Sequence, residues 1–348
     1  MTRLHLRVTP LALACVFLAQ TARAQAADTG RVWEQGSWRG MGDVPAGAHI
    51  LDHPLSLALG RNAIYVFNAG SATVVALGLD GRLLWRYSPP DSLRFGADRV
   101  VSLAAGFDGG VWVADPNSGR CTILSPLGNV ERVVPMRDGR HFAPRSDGSF
   151  WQSRYLAIQP MLFDANGHRV RTLRLPASLA APPNAVGDAL LAVTADTLVV
   201  AYSMAGRFLI APPHGAARDV RAIEPRAFAT FAQSDVTVAG RAVHTFKTHA
   251  NELPATLGLA VDSGVIYALY FNARGATGDP GRTVDMYRTA SGRYVGSRRL
   301  PMSATHIAIR GDVTYALTGE GDLRIWRWVP SPTPPSHSGG PATVSRSL

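Results

Sequence analysis

The stretch LALGRNAIYVFNAGSATVVALGLDGRLLWRYSPP, residues 57–90, contains the pattern that most of the remaining chain repeats. Its short apolar runs are separated by turn residues at Gly60-Arg61-Asn62, Asn68-Ala69-Gly70 and Asp80-Gly81. Runs of β-branched and aromatic residues bounded by Gly, Asn and Asp are typical of strands joined by tight turns. Residues 57–90 are therefore predicted to form consecutive antiparallel strands.

The pattern recurs at a regular spacing along the chain. Its most apolar run begins near residues 64, 111, 150, 198, 266 and 314, which gives spacings of 47, 39, 48, 68 and 48 residues. A turn glycine follows 17 residues after each of the first four positions and 26 residues after the fifth. A period of about 40–50 residues with several short strands is typical of propeller blades. The sequence predicts an all-β, six-bladed β-propeller with four-stranded blades, and a β-sandwich or β-solenoid is the alternative.

The two ends of the predicted propeller complement each other. The last repeat reaches Pro330-Ser331-Pro332 directly after its third strand, so it lacks a fourth. Near the N-terminus, Arg31-Val32-Trp33-Glu34 resembles Arg82-Leu83-Leu84-Trp85, the fourth strand of the first repeat. We expect an N-terminal strand at 31–34 to complete the last blade, because closing the ring removes an exposed sheet edge.

Residues 1–24 have the features of a secretion signal. Arg3 and Arg7 precede a short apolar core, and Ala22-Arg23-Ala24 is a small-residue cleavage site. Alternatively, Cys15 follows a lipobox-like Ala-Leu-Ala and would carry a lipid anchor. Both interpretations predict a periplasmic or secreted protein without a transmembrane helix, because the apolar core is too short to span a bilayer.

The rest of the chain divides into a propeller, one insertion and a tail. The propeller is predicted over 25–330, and residues 226–257 interrupt its period. Two strand-like runs around Ala239-Gly240 predict that this insertion is a hairpin or flap, with a degenerate seventh blade as the alternative. Residues 331–348 are rich in Pro, Ser and Gly and are predicted to be a disordered tail.

Charge and cysteine content narrow the classes of partner. The formal net charge is +10, and the positive residues are spread over all repeats without a basic run. We expect no nucleic-acid partner, because the predicted location is outside the cytoplasm, and the basic surface predicts possible association with anionic surfaces. Of its two cysteines, Cys15 lies in the predicted signal, which leaves Cys121 as a small, buried apolar residue without a disulfide partner.

The second repeat, VWVADPNSGRCTILSPLG at 111–128, resembles an NHL repeat in its Ala114-Asp115 pair, Asn117 and Arg120. The first repeat matches less closely, with Asn68 in place of the aspartate. The chain is thus similar to six-bladed, NHL-like or TolB-like propellers of secreted bacterial proteins. Such propellers include binding scaffolds, lactonases and lyases, so the resemblance implies no single function.

Functional residues are expected around the central channel. In a propeller, the starts of the inner strands and the loops between second and third strands share one face and surround the channel mouth, the default ligand site. Asn184 is the polar residue expected at the start of the fourth inner strand. The predicted binding residues are His53, Asn68, Arg99, Asp115, Asn117, His141, Arg154, Tyr155 and His306.

The sequence contains no motif for a nucleophile elbow, a phosphate loop or a Cys-x-x-Cys site. We therefore expect a scaffold that binds a protein, peptide or glycan at the channel mouth, with no cofactor. The alternative is a metal-dependent hydrolase or lyase in which His53, His141 and His306 hold a Ca or Zn ion. Three unrelated, solvated histidines would be the simpler explanation of the same residues.

Overall fold

A computed structural model of the chain confirms the six-bladed β-propeller. It describes residues 30–47, 49–95, 101–136, 139–154, 157–179, 181–238, 241–248, 254–271 and 280–332, without most side chains of 231–248. The predicted signal, Arg99, Tyr155 and most of the predicted tail lie outside these residues. Among the described residues, no helix is long and apolar enough to cross a membrane.

The chain begins its regular structure with β1 (Gly36–Val44) and then forms five consecutive four-stranded antiparallel blades, each starting with its inner strand. Blade I contains β2 (Pro54–Leu59), β3 (Ile64–Asn68), β4 (Thr73–Leu77) and β5 (Leu83–Tyr87). Blade II contains β6 (Ser102–Ala105), β7 (Val111–Asp115), β8 (Arg120–Leu124) and β9 (Val130–Pro135). Blade III contains β10 (Phe142–Pro144), β11 (Phe150–Arg154), β12 (Ala157–Phe163) and β13 (Arg169–Thr172). Blade IV contains β14 (Ala189–Thr194), β15 (Thr197–Tyr202), β16 (Arg207–Ala211) and β17 (Arg218–Arg221).

A separate two-stranded sheet, β18 (Phe231–Val238) and β19 (Arg241–Thr248), lies between blades IV and V in the chain. Blade V contains β20 (Thr256–Asp262), β21 (Val265–Tyr270), β22 (Thr283–Arg288) and β23 (Tyr294–Arg299). Blade VI contains β24 (Ala304–Arg310), β25 (Val313–Thr318) and β26 (Leu323–Pro330), with β1 as its fourth strand. Two short 3₁₀ turns, Asp91–Leu93 and Ala177–Leu179, lie in the connections between blades.

The hydrophobic core lies between the blades. Successive side chains of a strand point to opposite faces of the sheet. In β3, Ile64 and Val66 therefore pack against blade VI, while Tyr65 and Phe67 pack against blade II. Six clusters of buried side chains fill the six interfaces between neighbouring blades. Both faces of each second strand are buried, which explains why these strands are continuous apolar runs in the sequence.

The ring is closed by the N-terminal strand, but the position predicted for that strand is wrong. The strand that completes blade VI is β1, which pairs with β26 from Gly36–Pro330 to Val44–Leu323. Residues 32–34 instead lie beside blade V, where the Glu34 amide donates to the Ser297 carbonyl at 2.9 Å. The Ser297 amide in turn donates to the Val32 carbonyl at 2.8 Å. Residues 32–34, which resemble an outer strand in the sequence, thus lie at the outer edge of blade V. The strand β1, which follows them, closes the ring.

Arg31 fastens this N-terminal segment in the groove between blades IV and V. Its Nε and Nη2 atoms donate to the two carboxylate oxygens of Asp285 at 2.9 and 3.0 Å, and Nη1 pairs with Glu224. The side chains of Arg31 and Asp285 are 1% and 2% exposed. Burial alone would lower the pKa of Arg31, but the two carboxylates raise it, so the guanidinium stays charged. A buried cation with a bidentate partner fixes one geometry for the segment.

Replacing Arg31 with methionine should lower the free energy of unfolding by about 3–5 kcal/mol, because Asp285 would stay buried without its charged partner. Urea unfolding of the chain from residue 25 measures this loss. Arg327→Met is the matched control, since it breaks an exposed pair of 3.3 Å with Asp312. That change should cost less than about 1 kcal/mol. Equal losses in the two variants would contradict the anchoring role of Arg31.

Candidate functional site

The starts of all six inner strands line one cavity at an end of the central channel, here called the mouth chamber. Its volume is about 310 Å³. Its walls are mainly aliphatic, and its polar side chains are Ser56, Ser102, Arg140, His141 and His306. A concave, mostly apolar cavity with a few converging polar groups is the usual form of a ligand site.

A second cavity, here called the side depression, adjoins the mouth chamber between blades I and VI. Its volume is about 380 Å³, and Asp52, His53, Thr305 and Glu320 contribute polar side chains to it. Leu55 and His306 line both cavities, so the two form one continuous concave surface. The far end of the channel has its own cavity of about 330 Å³, lined by the last residues of the inner strands.

Of the three predicted histidines, the structure brings His141 and His306 together in the mouth chamber. His53 lines only the side depression, where its backbone takes a φ of 49°. Among the described residues, no group of three or more His, Cys, Asp or Glu side chains is arranged to hold a metal ion.

The other predicted residues occupy local turns or lie away from the chamber. Asn68 is fully buried, and its side chain accepts from the Asp52 amide at 3.2 Å and donates to the Ile50 carbonyl at 2.7 Å. Asp115 is buried and accepts from the amides of Asn117 and Ser118, which shapes the turn after β7. Arg154 contacts the Met161 sulfur at 3.2 Å. Of the NHL-like polar positions, Asp115 and Asn117 therefore build a local turn, whereas Arg120 donates to the carbonyls of Ser92 and Arg94.

Asp188, which the sequence pattern did not single out, organises the polar side of the mouth chamber. Its Oδ1 lies 2.9 Å from Arg140 Nε and 3.6 Å from His141 Nε2. Its Oδ2 accepts from the Ser203 hydroxyl at 2.9 Å. Burial alone would raise the pKa of Asp188, but His141, Arg140 and Ser203 hold it below its ordinary value. The carboxylate is therefore a stable anion with a side chain only 16% exposed.

Ser102 completes this network on the other side of His141. Its hydroxyl lies 3.4 Å from His141 Nδ1, and Ser102 is the first residue of β6.

The sequence contained one indication that Asp188 is at the start of an inner strand. It directly precedes the apolar run of β14, just as His141 directly precedes β10. Asn184, which the sequence predicted at the start of this inner strand, lies before it. The neighbouring Ala185 forms an isolated bridge with Thr230, and the inner strand β14 begins at Ala189.

His306 is held in its neutral form. Burial, and then the nearby His141, lower the pKa of His306 to about 4. Its Nδ1 lies 3.3 Å from the Thr305 hydroxyl, and that hydroxyl donates to the Leu317 carbonyl.

No protein-family model matches the chain, and no curated protein matches it. Solved structures of similar shape include the virginiamycin B lyase of Staphylococcus aureus, with 10% sequence identity and a TM-score of 0.53 over 84% of this chain and 100% of that one. A protein of unknown function from Bacteroides thetaiotaomicron has 11% identity and a TM-score of 0.53 over 86% and 75%. The Cps50 (Swd1) β-propeller domain of Myceliophteria thermophila has 13% identity and a TM-score of 0.50 over 84% and 99%. At these identities, the likeness is one of fold.

The neutral state of His306 makes the fold sensitive to acid. The unfolded chain takes up a proton near the ordinary histidine pKa of about 6.5, whereas the folded chain does so only near pH 4. Stability contributed by this group should therefore fall as the pH drops from about 6.5 to about 4. His306→Gln should lose less stability than the unchanged protein between pH 7.5 and 4.5, measured by urea midpoints. His168→Gln, at an exposed histidine, should behave like the unchanged protein.

Proposed function

We propose that this chain is a scaffold that binds a protein or peptide segment through the mouth chamber and the side depression. The observation that carries the proposal is the convergence of all six inner strands on one cavity with aliphatic walls and a polar rim. The rim consists of residues at the starts of strands, which the blades hold in place. Binding residues are commonly placed in this way, on loops held by a rigid framework.

The two ends of the channel differ in the length of their connections. At the far end, each first and second strand is joined by no more than five residues. The mouth face has the long connections 173–188 and 222–255, and the latter includes the β18–β19 sheet. The mouth face therefore offers the larger surface for recognition of a partner.

The wall chemistry favours a peptide over a glycan. Leu55, Leu190 and Leu257 are among the aliphatic residues of the mouth chamber. Phe142 is the one phenylalanine, tyrosine or tryptophan among its described lining residues, and it is only 3% exposed. Aliphatic walls suit an apolar anchor side chain of a partner, and such anchors supply most of the binding energy at protein interfaces. If residues 1–24 act as a secretion signal, the partner would be met in the periplasm or outside the cell.

A photo-crosslinking amino acid placed at Leu55 tests the location of binding. Leu55 is 48% exposed and lines both cavities of the mouth face. We expect a discrete adduct with a peptide or protein from extracts of the source cells, reduced by about tenfold in His141→Ala. The matched position is Phe107, which is 54% exposed at the far cavity and should give no such adduct. Identical adducts from both positions would refute binding at the mouth.

The observation that supports the metal-dependent hydrolase or lyase is that His141 and His306 line the same cavity. The two candidate functions predict different responses to a chelator. Under the scaffold proposal, removal of divalent ions with a chelator should leave crosslinking at Leu55 unchanged. Elemental analysis of protein purified without chelator provides the second readout. One Ca or Zn ion per chain, lost in His306→Ala but retained in His168→Ala, would favour the hydrolase or lyase instead.

A further inference from the structure

We propose that Ser102, His141 and Asp188 form a nucleophilic site at the channel mouth that cleaves esters of short aliphatic acids. This inference extends the proposed binding site to a chemical reaction within the same chamber. It depends on the mouth chamber as a place where ligands enter, but it does not depend on a protein partner.

The three residues come from the starts of three neighbouring inner strands. Ser102 opens β6 of blade II, His141 directly precedes β10 of blade III, and Asp188 directly precedes β14 of blade IV. Their side chains follow one another around the channel, with 3.4 Å between Ser102 Oγ and His141 Nδ1 and 3.6 Å between His141 Nε2 and Asp188 Oδ1. A hydroxyl, an imidazole and a carboxylate in this order resemble the arrangement that activates serine nucleophiles on unrelated folds, with the roles of the two imidazole nitrogens exchanged. Such contacts are commonly long before a substrate binds.

The carboxylate determines which imidazole nitrogen can act as the base. Asp188 remains an anion, and its Oδ1 lies 3.6 Å from Nε2 of His141, where its negative charge favours a proton on that nitrogen. With Nε2 protonated, Nδ1 presents its lone pair to the Ser102 hydroxyl. Arg140 pairs with the same Oδ1 of Asp188, and the Ser203 hydroxyl donates to Oδ2, so both hold the carboxylate in place. They are therefore positioning residues, whereas Ser102 and His141 contact the reacting atoms.

The reaction is a two-step acyl transfer with water as the second reactant. Ser102 Oγ forms a bond to the ester carbonyl carbon while its proton passes to His141 Nδ1. The bond between the carbonyl carbon and the alkoxy oxygen breaks, and the alcohol leaves with that proton. Water then attacks the acyl-Ser102 ester, again losing a proton to Nδ1, and the carboxylic acid is released as the hydroxyl of Ser102 is restored. The two steps balance with the ester and water as the only reactants, without an oxidant or a reductant.

The chamber restricts the substrate to a small, uncharged acyl group. Its volume of about 310 Å³ is bounded by leucine side chains, and its described ionisable residues are Arg140, His141 and His306. Arg140 is paired with Asp188, and His306 is neutral, so the chamber offers little net charge to a charged acyl chain.

Covalent labelling with an alkyl fluorophosphonate tests the nucleophile directly. We expect the full chain to be phosphonylated at Ser102, identified by peptide mass spectrometry, and to hydrolyse p-nitrophenyl butyrate. Ser102→Ala should abolish both, and His141→Ala should slow labelling by about 100-fold or more. Asp188→Asn should slow labelling and change its pH profile, since the amide no longer fixes the imidazole proton on Nε2. Ser291→Ala, at an exposed turn serine, is the matched control and should react like the unchanged protein.

Labelling at several serines alike, no labelling of a folded protein, or ester hydrolysis that persists in Ser102→Ala would each overturn the nucleophilic site. Circular dichroism and the unfolding midpoint of each variant show whether a lost reaction reflects a lost fold. The binding scaffold and the nucleophilic site can be rejected independently of each other. Labelled Ser102 without an adduct at Leu55 would reject the binding scaffold and keep the nucleophile, whereas an adduct without labelling would do the reverse.

Discussion

The pairing of β1 with β26 is the contact on which the remaining structure depends. Blade VI obtains three strands from the C-terminal end of the propeller and its fourth from the N-terminal end. Trp38 of β1 packs against Trp328 with ring centroids 4.9 Å apart, and its indole N–H donates to the Arg299 carbonyl of blade V. The closing strand thus joins two blades as well as covering an edge. Without it, the outer edge of blade VI would be open to other chains.

Ring closure also explains where the stability of the molecule resides. Each blade is a thin sheet that buries both faces only when a neighbour lies on each side. Cys121 illustrates the result, because it is fully buried between blades II and III, where burial raises the pKa of its thiol and leaves it unreactive. A small apolar residue was the expectation from the sequence, and the structure confirms it. The structure thus relies on packing between blades, together with the buried Arg31 pair, rather than on covalent links among the described residues.

Closure of the ring brings together the polar residues that line the mouth chamber. The six inner strands are brought to one axis, and polar residues that start neighbouring strands become neighbours in space. The network from Ser102 through His141 to Asp188 spans three blades, so its geometry depends on how adjacent blades pack. His306 lines the same chamber, and burial lowers its pKa so that its imidazole stays neutral. The small cavity is therefore lined by a cation, Arg140, and a neutral imidazole, His306, and the carboxylate of Asp188 pairs with Arg140.

The number of blades, the positions of the second strands and the presence of an N-terminal closing strand could be predicted from the amino-acid sequence alone. These features are local, because alternating apolar residues and turn glycines act within one blade and repeat in the next. The sequence also named His141 and His306, which line one cavity, and Asn68 and Asp115, which shape local turns, but it put the closing strand at 31–34. The start of the closing strand at Gly36 and the position of Asp188 beside His141 could be seen only in the folded molecule. The physical reason is distance along the chain: Ser102, His141 and Asp188 are separated by 39 and 47 residues, and only the packing of the blades brings them within hydrogen-bonding or ion-pair distance.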